Sequence, residues 1–98
     1  MAGTRIDVEQ LRAAANRLLD HLVDTSGEAV TLDKDYFWAV PSDVAYDPYT
    51  EPNELTVGQL SESWQNLVDM LEGRSGVLAY HLVWLSDVFR AIGAEIVQ

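Results

Sequence analysis

Two histidines and no cysteine leave this chain few routes to catalysis. His21 stands in Asp20-His21-Leu22-Val23-Asp24, so His21 and Asp24 would share one side of a helix. A divalent metal would need at least one further ligand, and the H-E-x-x-H, paired-cysteine and EF-hand spacings do not occur. The charged side of an amphipathic helix accounts for the cluster. His81 follows Tyr80 in an apolar stretch; Asp87, about 600° further around an ideal helix, points away from it. Ser61, Ser63, Ser75 and Ser86 lie outside any Gly-x-Ser-x-Gly elbow. Gly73-Arg74-Ser75-Gly76 lacks the lysine and the spacing of a P-loop, and reads as a turn between helices. The expectation is a protein that is not an enzyme, with no catalytic residue, metal or cofactor.

The distribution of charge says more. Sixteen acidic against six basic residues give a formal charge of −10. Phosphate binding needs clustered cations, and so does an anionic membrane surface, so neither nucleic acid nor membrane is an expected partner. The charge is also concentrated. Between Lys34 and Arg74 stand eight carboxylates and no base, and four of them, Asp43, Asp47, Glu51 and Glu54, lie in a segment holding Pro41, Pro48 and Pro52. Tyr46 and Tyr49 are interleaved with them. Tyrosines beside carboxylates on a proline-stiffened loop offer rigid aromatic area and complementary charge at little ordering cost. Asp43, Tyr46, Asp47, Tyr49, Glu51 and Glu54 are therefore the candidate contacts for a basic protein partner. The plainer reading is a solubilising acidic face with the tyrosine rings folded back on the protein.

The elements that would hold this loop follow from hydrophobic period and punctuation. With 98 residues, 48% of them hydrophobic, the chain is sized for one domain that buries roughly 65% of its unfolded surface. Asp7 caps a first helix over 8–25, with Gln10 in capping-box position and Val8, Leu11, Ala15, Leu18 and Leu22 as its stripe; Gly27 ends it. Residues 28–40 read as a hairpin: an alternating strand with Val30 and Leu32 on one face, the turn Asp33-Lys34-Asp35, then Tyr36-Phe37-Trp38-Ala39-Val40. Strand parity sets Tyr36 and Trp38 opposite Phe37 and Ala39 without saying which face is buried. The proline-rich, acidic loop spans 41–55. Leu55-Thr56 repeats the staple and cap of the first helix and predicts a second over 57–72, with Trp64 assigned to packing. Ser75 would cap a third over 76–92, stopped by Gly93. That helix is apolar on nearly every side, Trp84 included, so it is either central or covered by a second copy. The expected fold is α+β and predominantly helical, three helices with the C-terminal one central and a two-stranded hairpin between the first and second.

In size and acidity the chain resembles bacterial toxin-immunity proteins, small acidic domains that block basic nucleases. Leu60, Trp64 and Leu67 are spaced as in a helix of the barstar-type ribonuclease inhibitors. The parallel strands of that fold are not evident in the pattern, so no inhibitory residue is carried over. The reading that results is a small interaction domain for a basic protein partner, of which an immunity or antitoxin-like inhibitor is one form. A homodimer sealed by the third helix is the first alternative, and a small-molecule or minor catalytic site near Tyr80 and His81 the second. The amino end has no apolar core of signal-peptide length, and a cytoplasmic location is expected.

Overall fold

In the computed structural model the described residues are 3–40, 45–49, 51 and 55–96. They form three helices, α1 (Val8–Ser26), α2 (Leu60–Leu71) and α3 (His81–Ile96), with two antiparallel strands, β1 (Tyr36–Ala39) and β2 (Thr56–Gln59), between the first and second. The fold is α+β and mostly helical. Among the described residues no helix is long and apolar enough to cross a membrane. The chain divides into two compact units, Met1–Thr31 and Leu32–Gln98.

The first unit is α1 with its two ends. Asp7 is extended and its Oδ1 accepts the Gln10 N–H at 3.0 Å, relieving one of the unpaired amides of the first turn. Gly27 takes φ 84°, a left-handed value open to glycine at no steric cost, and donates its N–H to the Val23 carbonyl. Both ends fall where the sequence places them. None of the helix's residues is buried, and Leu11 and Leu18 of the stripe are exposed.

The strand expected over 28–32 is absent, and in the second unit β1 pairs instead with residues assigned to the head of the second helix. The register sets Trp38 against Val57 and Phe37 against Gly58. Glycine is what the Phe37 ring requires: a Cβ at Gly58 would fall within it. The ring covers the glycine while Thr56 and Val57 supply β-branched residues to the strand, so aromatic packing outweighs the helix-capping pattern of Leu55-Thr56. The exposed face of the sheet is now settled. Tyr36, Trp38 and Val57 are exposed, whereas Phe37 and Ala39 are half-buried.

Helix α2 therefore starts at Leu60, three residues later than its capping pattern predicts. Gln59, in the N-cap position, makes no side-chain cap. Asp35 makes it from the residue before β1: its carbonyl accepts the Leu60 N–H at 2.6 Å and its Oδ1 the Ser61 N–H at 2.7 Å. At the other end Gly73 takes φ 77°, and the Asp69 carbonyl accepts from the Arg74 amide at 2.8 Å. Arg74 Nε and Nη2 also donate to Asp69 Oδ1. Gly73-Arg74-Ser75-Gly76 is a clamped helix exit.

Helix α3 begins at His81, five residues past the predicted start, and Ser75 does not cap it. The Leu78 N–H donates to His81 Nδ1 at 2.9 Å, and the Leu78 carbonyl accepts the His81 N–H at 3.0 Å, closing the turn that leads into the helix. Gly93 does not stop the helix, because its φ is not positive and the turns simply continue to Ile96. Helices α2 and α3 pack on each other, with Leu67, Ser63 and His81 buried. Trp64 is 53% exposed, so its assignment to packing is corrected: on α2 the buried line runs through Ser63 and Leu67.

Candidate functional site

The tyrosine-bearing loop is described at 45–49 and 51; Asp43 and Glu54 lie outside the described residues. Tyr46 is 88% and Tyr49 95% exposed. Asp47 Oδ1 accepts the Tyr49 N–H at 3.0 Å, a side chain closing its own turn two residues on. This bond fixes the backbone between the two rings before any partner arrives. Glu51 is exposed and Asp47 half-buried. Four of the six candidate contacts are thus on one described loop, with both aromatic rings open to solvent.

The same loop forms one side of an open groove of about 1320 Å³, whose other lining comes from β1, β2, the head of α2 and one face of α3. From Tyr80, the residue before α3, that lining continues along the helix through Trp84, Asp87, Ala91 and Ala94 in alternating steps of four and three. Tyr80 and Trp84 meet edge to face with ring centroids 5.1 Å apart. At the foot of the groove the buried Ser63 hydroxyl donates to Asp87 Oδ2 at 3.3 Å. Burial pushes the Asp87 carboxyl above its ordinary value; the Ser63 bond and then the charge of Arg90 act the other way.

Asp35 sits at the junction of sheet and helix. Besides the two α2 amides it receives Gln59 Nε2 at 2.9 Å and Ser61 Oγ at 3.1 Å, both on Oδ2. The Gln59 bond, followed by the Ser61 amide, holds its carboxyl below the usual carboxylate range. Its carboxylate is committed to holding the groove's wall to its head.

The two histidines are in different settings. His21 is on the exposed side of α1, where its carbonyl accepts from Thr25 Oγ1. His81 is buried and stacks edge-on against Trp84 at 4.9 Å while its Nδ1 takes the Leu78 amide. Tyr80 lines the groove and His81 does not. Among the described residues no three His, Cys, Asp or Glu side chains converge as a metal site would need. Set only against His81 in the sequence, Asp87 joins no candidate site. Its spacing of three from Trp84 and seven from Tyr80 was the available signal. Comparison with protein-family models, curated proteins and solved structures finds no match to this chain.

Proposed function

We propose that the protein is a non-enzymatic interaction domain whose acidic, tyrosine-bearing loop engages a basic protein partner. One observation carries this reading: Tyr46 and Tyr49 stand almost fully in solvent on a turn already closed by Asp47. Exposed rings on a preset backbone are what binding surfaces use, because little conformational entropy remains to be lost. The formal charge of −10, with no base between Lys34 and Arg74, adds long-range attraction toward a basic surface. Inhibition of a basic toxin or nuclease is one form such binding would take, and the cytoplasm is the compartment we assign to it.

Capture of partners on the immobilised protein at about 0.05 M and 0.5 M salt, with identification by mass spectrometry, tests the reading. Basic proteins should be held at the low salt and shed at the high. The Tyr46→Ser, Tyr49→Ser, Glu51→Gln variant should lose most of that capture and keep its helical circular dichroism. Capture that ignores both salt and the loop variant overturns the proposal. A second reading has its own observation: Leu71, Val77, Leu78 and Leu82 are all more than half exposed. Pairing of two copies would cover them, and light scattering at rising concentration reads it directly.

A further inference from the structure

The groove between the sheet and α3 has a character that the exposed loop alone does not give it. Its volume, about 1320 Å³, exceeds the 300–1,000 Å³ typical of small-molecule sites, and it is open along one side. A segment of another chain suits such a space better than a small compound. Its lining includes six carboxylates but only Lys34 and Arg90 as bases, so it favours a cationic occupant. Within it, Tyr80 just ahead of α3 and Trp84 and Asp87 on its groove face follow in line, two aromatic rings and then a carboxylate. Beyond them Ala91 and Ala94 leave room for a backbone to lie close to the helix.

We propose that this groove takes an arginine-bearing segment of a basic protein partner, with a guanidinium seated against Trp84 and Tyr80 and paired to Asp87. The inference rests on the reading of the protein as a binder of basic partners and names where the decisive side chain goes. Arginine fits better than lysine. Its planar guanidinium stacks on an indole and forks onto a carboxylate, whereas an ammonium is a compact and strongly hydrated point charge. Two groups act on the Asp87 carboxylate. Ser63 Oγ reaches Asp87 from α2, and Arg90 stands three residues on in α3 with its charge acting on the same carboxylate. Arg90 is thus an internal competitor for the incoming cation. Burial opposes the charge on Asp87, while the Ser63 bond and then Arg90 favour it.

The test is a titration of the isotopically labelled full-length protein with an oligoarginine peptide, oligolysine and oligoglutamate serving as comparisons. Three tryptophans give three indole N–H signals in the nuclear magnetic resonance spectrum. Oligoarginine should move the Trp84 indole and the amides around Asp87, leave the Trp64 indole in place, and bind at least about fivefold more tightly than oligolysine. Asp87→Asn should weaken oligoarginine binding by about tenfold, and Trp84→Leu by a similar factor. Arg90→Gln should strengthen it. Shifts confined to Tyr46–Tyr49 with α3 unmoved would overturn the groove inference and leave the loop reading standing. So would Asp87→Asn binding like the wild type, or equal affinity for the two cationic peptides. Absence of any binding at about 1 mM peptide overturns the groove inference, and the loop reading is then judged separately by its salt-dependent capture.

Discussion

Helices α1 and α2 solve the same end problem by opposite means. Each helix leaves unpaired amides at its start and carbonyls at its finish. In α1 both are met by near neighbours, Asp7 at one end and Gly27 at the other. In α2 the N-terminus is met by Asp35, far upstream. Local caps make a helix whose ends are its own affair. A cap borrowed from a distant segment makes the helix end depend on tertiary structure, and binds that segment to it. Asp35 thereby fixes the start of β1 to the start of α2, and so sets the wall of the groove.

The sharpest way to test this contrast is to remove packing from each region in turn. Leu67 is 5% exposed between α2 and α3, whereas Leu18 of α1 is 70% exposed. Leu67→Ala should cost about 2–5 kcal/mol through lost burial and the cavity left behind. Leu18→Ala should cost less than about 1 kcal/mol, within the range of exposed changes. Urea unfolding followed by tryptophan fluorescence measures the first, since Trp38, Trp64 and Trp84 all lie in the second unit, and helical circular dichroism, to which α1 contributes, measures the second. A Leu18 variant as damaged as the Leu67 variant would show that α1 is as fully packed in solution as α2.

Next in size is the exchange of caps. Asp7→Ala should cost about 1 kcal/mol, the usual worth of a lost N-cap. Asp35→Ala should lower the unfolding midpoint further, because one carboxylate accepts from the Ser61 amide, the Ser61 hydroxyl and the Gln59 amide group together. The pH dependence has a defined sign. Asp35 is held below 3.8, its value in the unfolded chain, by Gln59 and then Ser61. Its contribution is complete above that value and is lost as pH falls through the lower, folded one. Asp69 behaves alike, through Gln65 and then Arg74. Acid titrations of stability should therefore be shallower in Asp35→Ala than in the wild type below about pH 4. Identical acid limbs would mean that the carboxylate does not act as the cap of α2.

The same contrast explains what the sequence disclosed. Asp7, Gln10 and Gly27 lie within a turn of the groups they satisfy, and α1 was legible to within a residue at its end. Leu55-Thr56 carries an equally good capping pattern, yet these residues extend, because Phe37 lies over Gly58 and pairing with β1 satisfies the same backbone groups. That competition involves residues some twenty positions apart, which local grammar cannot weigh. Trp64 falls on an apolar period, but periodicity marks a stripe and not the partner that covers it, and its ring is half in solvent. The loop was the most legible part of the candidate site, since proline, tyrosine and carboxylate identities suffice to mark it. The α3 face was less so: spacing relates Tyr80, Trp84 and Asp87 to one another, whereas the groove opposite them is a product of strand pairing.

The smallest effect is expected at Asp87, and it separates a residue kept for packing from one kept for contact. Burial raises this carboxyl above its ordinary value more than Ser63 and Arg90 lower it. A carboxyl raised in the folded state stabilises the fold fully below its unfolded value of 3.8, and that contribution is lost as pH rises through the folded value. The charged form of the side chain is therefore the less favourable one for folding. Asp87→Asn keeps an oxygen to accept from Ser63 Oγ and removes the buried charge. Its stability at neutral pH should lie within about 0.5 kcal/mol of the wild type or above it, as read from urea midpoints. The gain in stability that the wild type shows on acidification through the folded value should be smaller in the variant. Stability preserved alongside lost oligoarginine binding would mark Asp87 as a contact residue. A clear loss of stability at neutral pH would instead mean that the charged carboxylate ties α3 to Ser63 of α2, and the inner face of α3 would then be a seam between two helices.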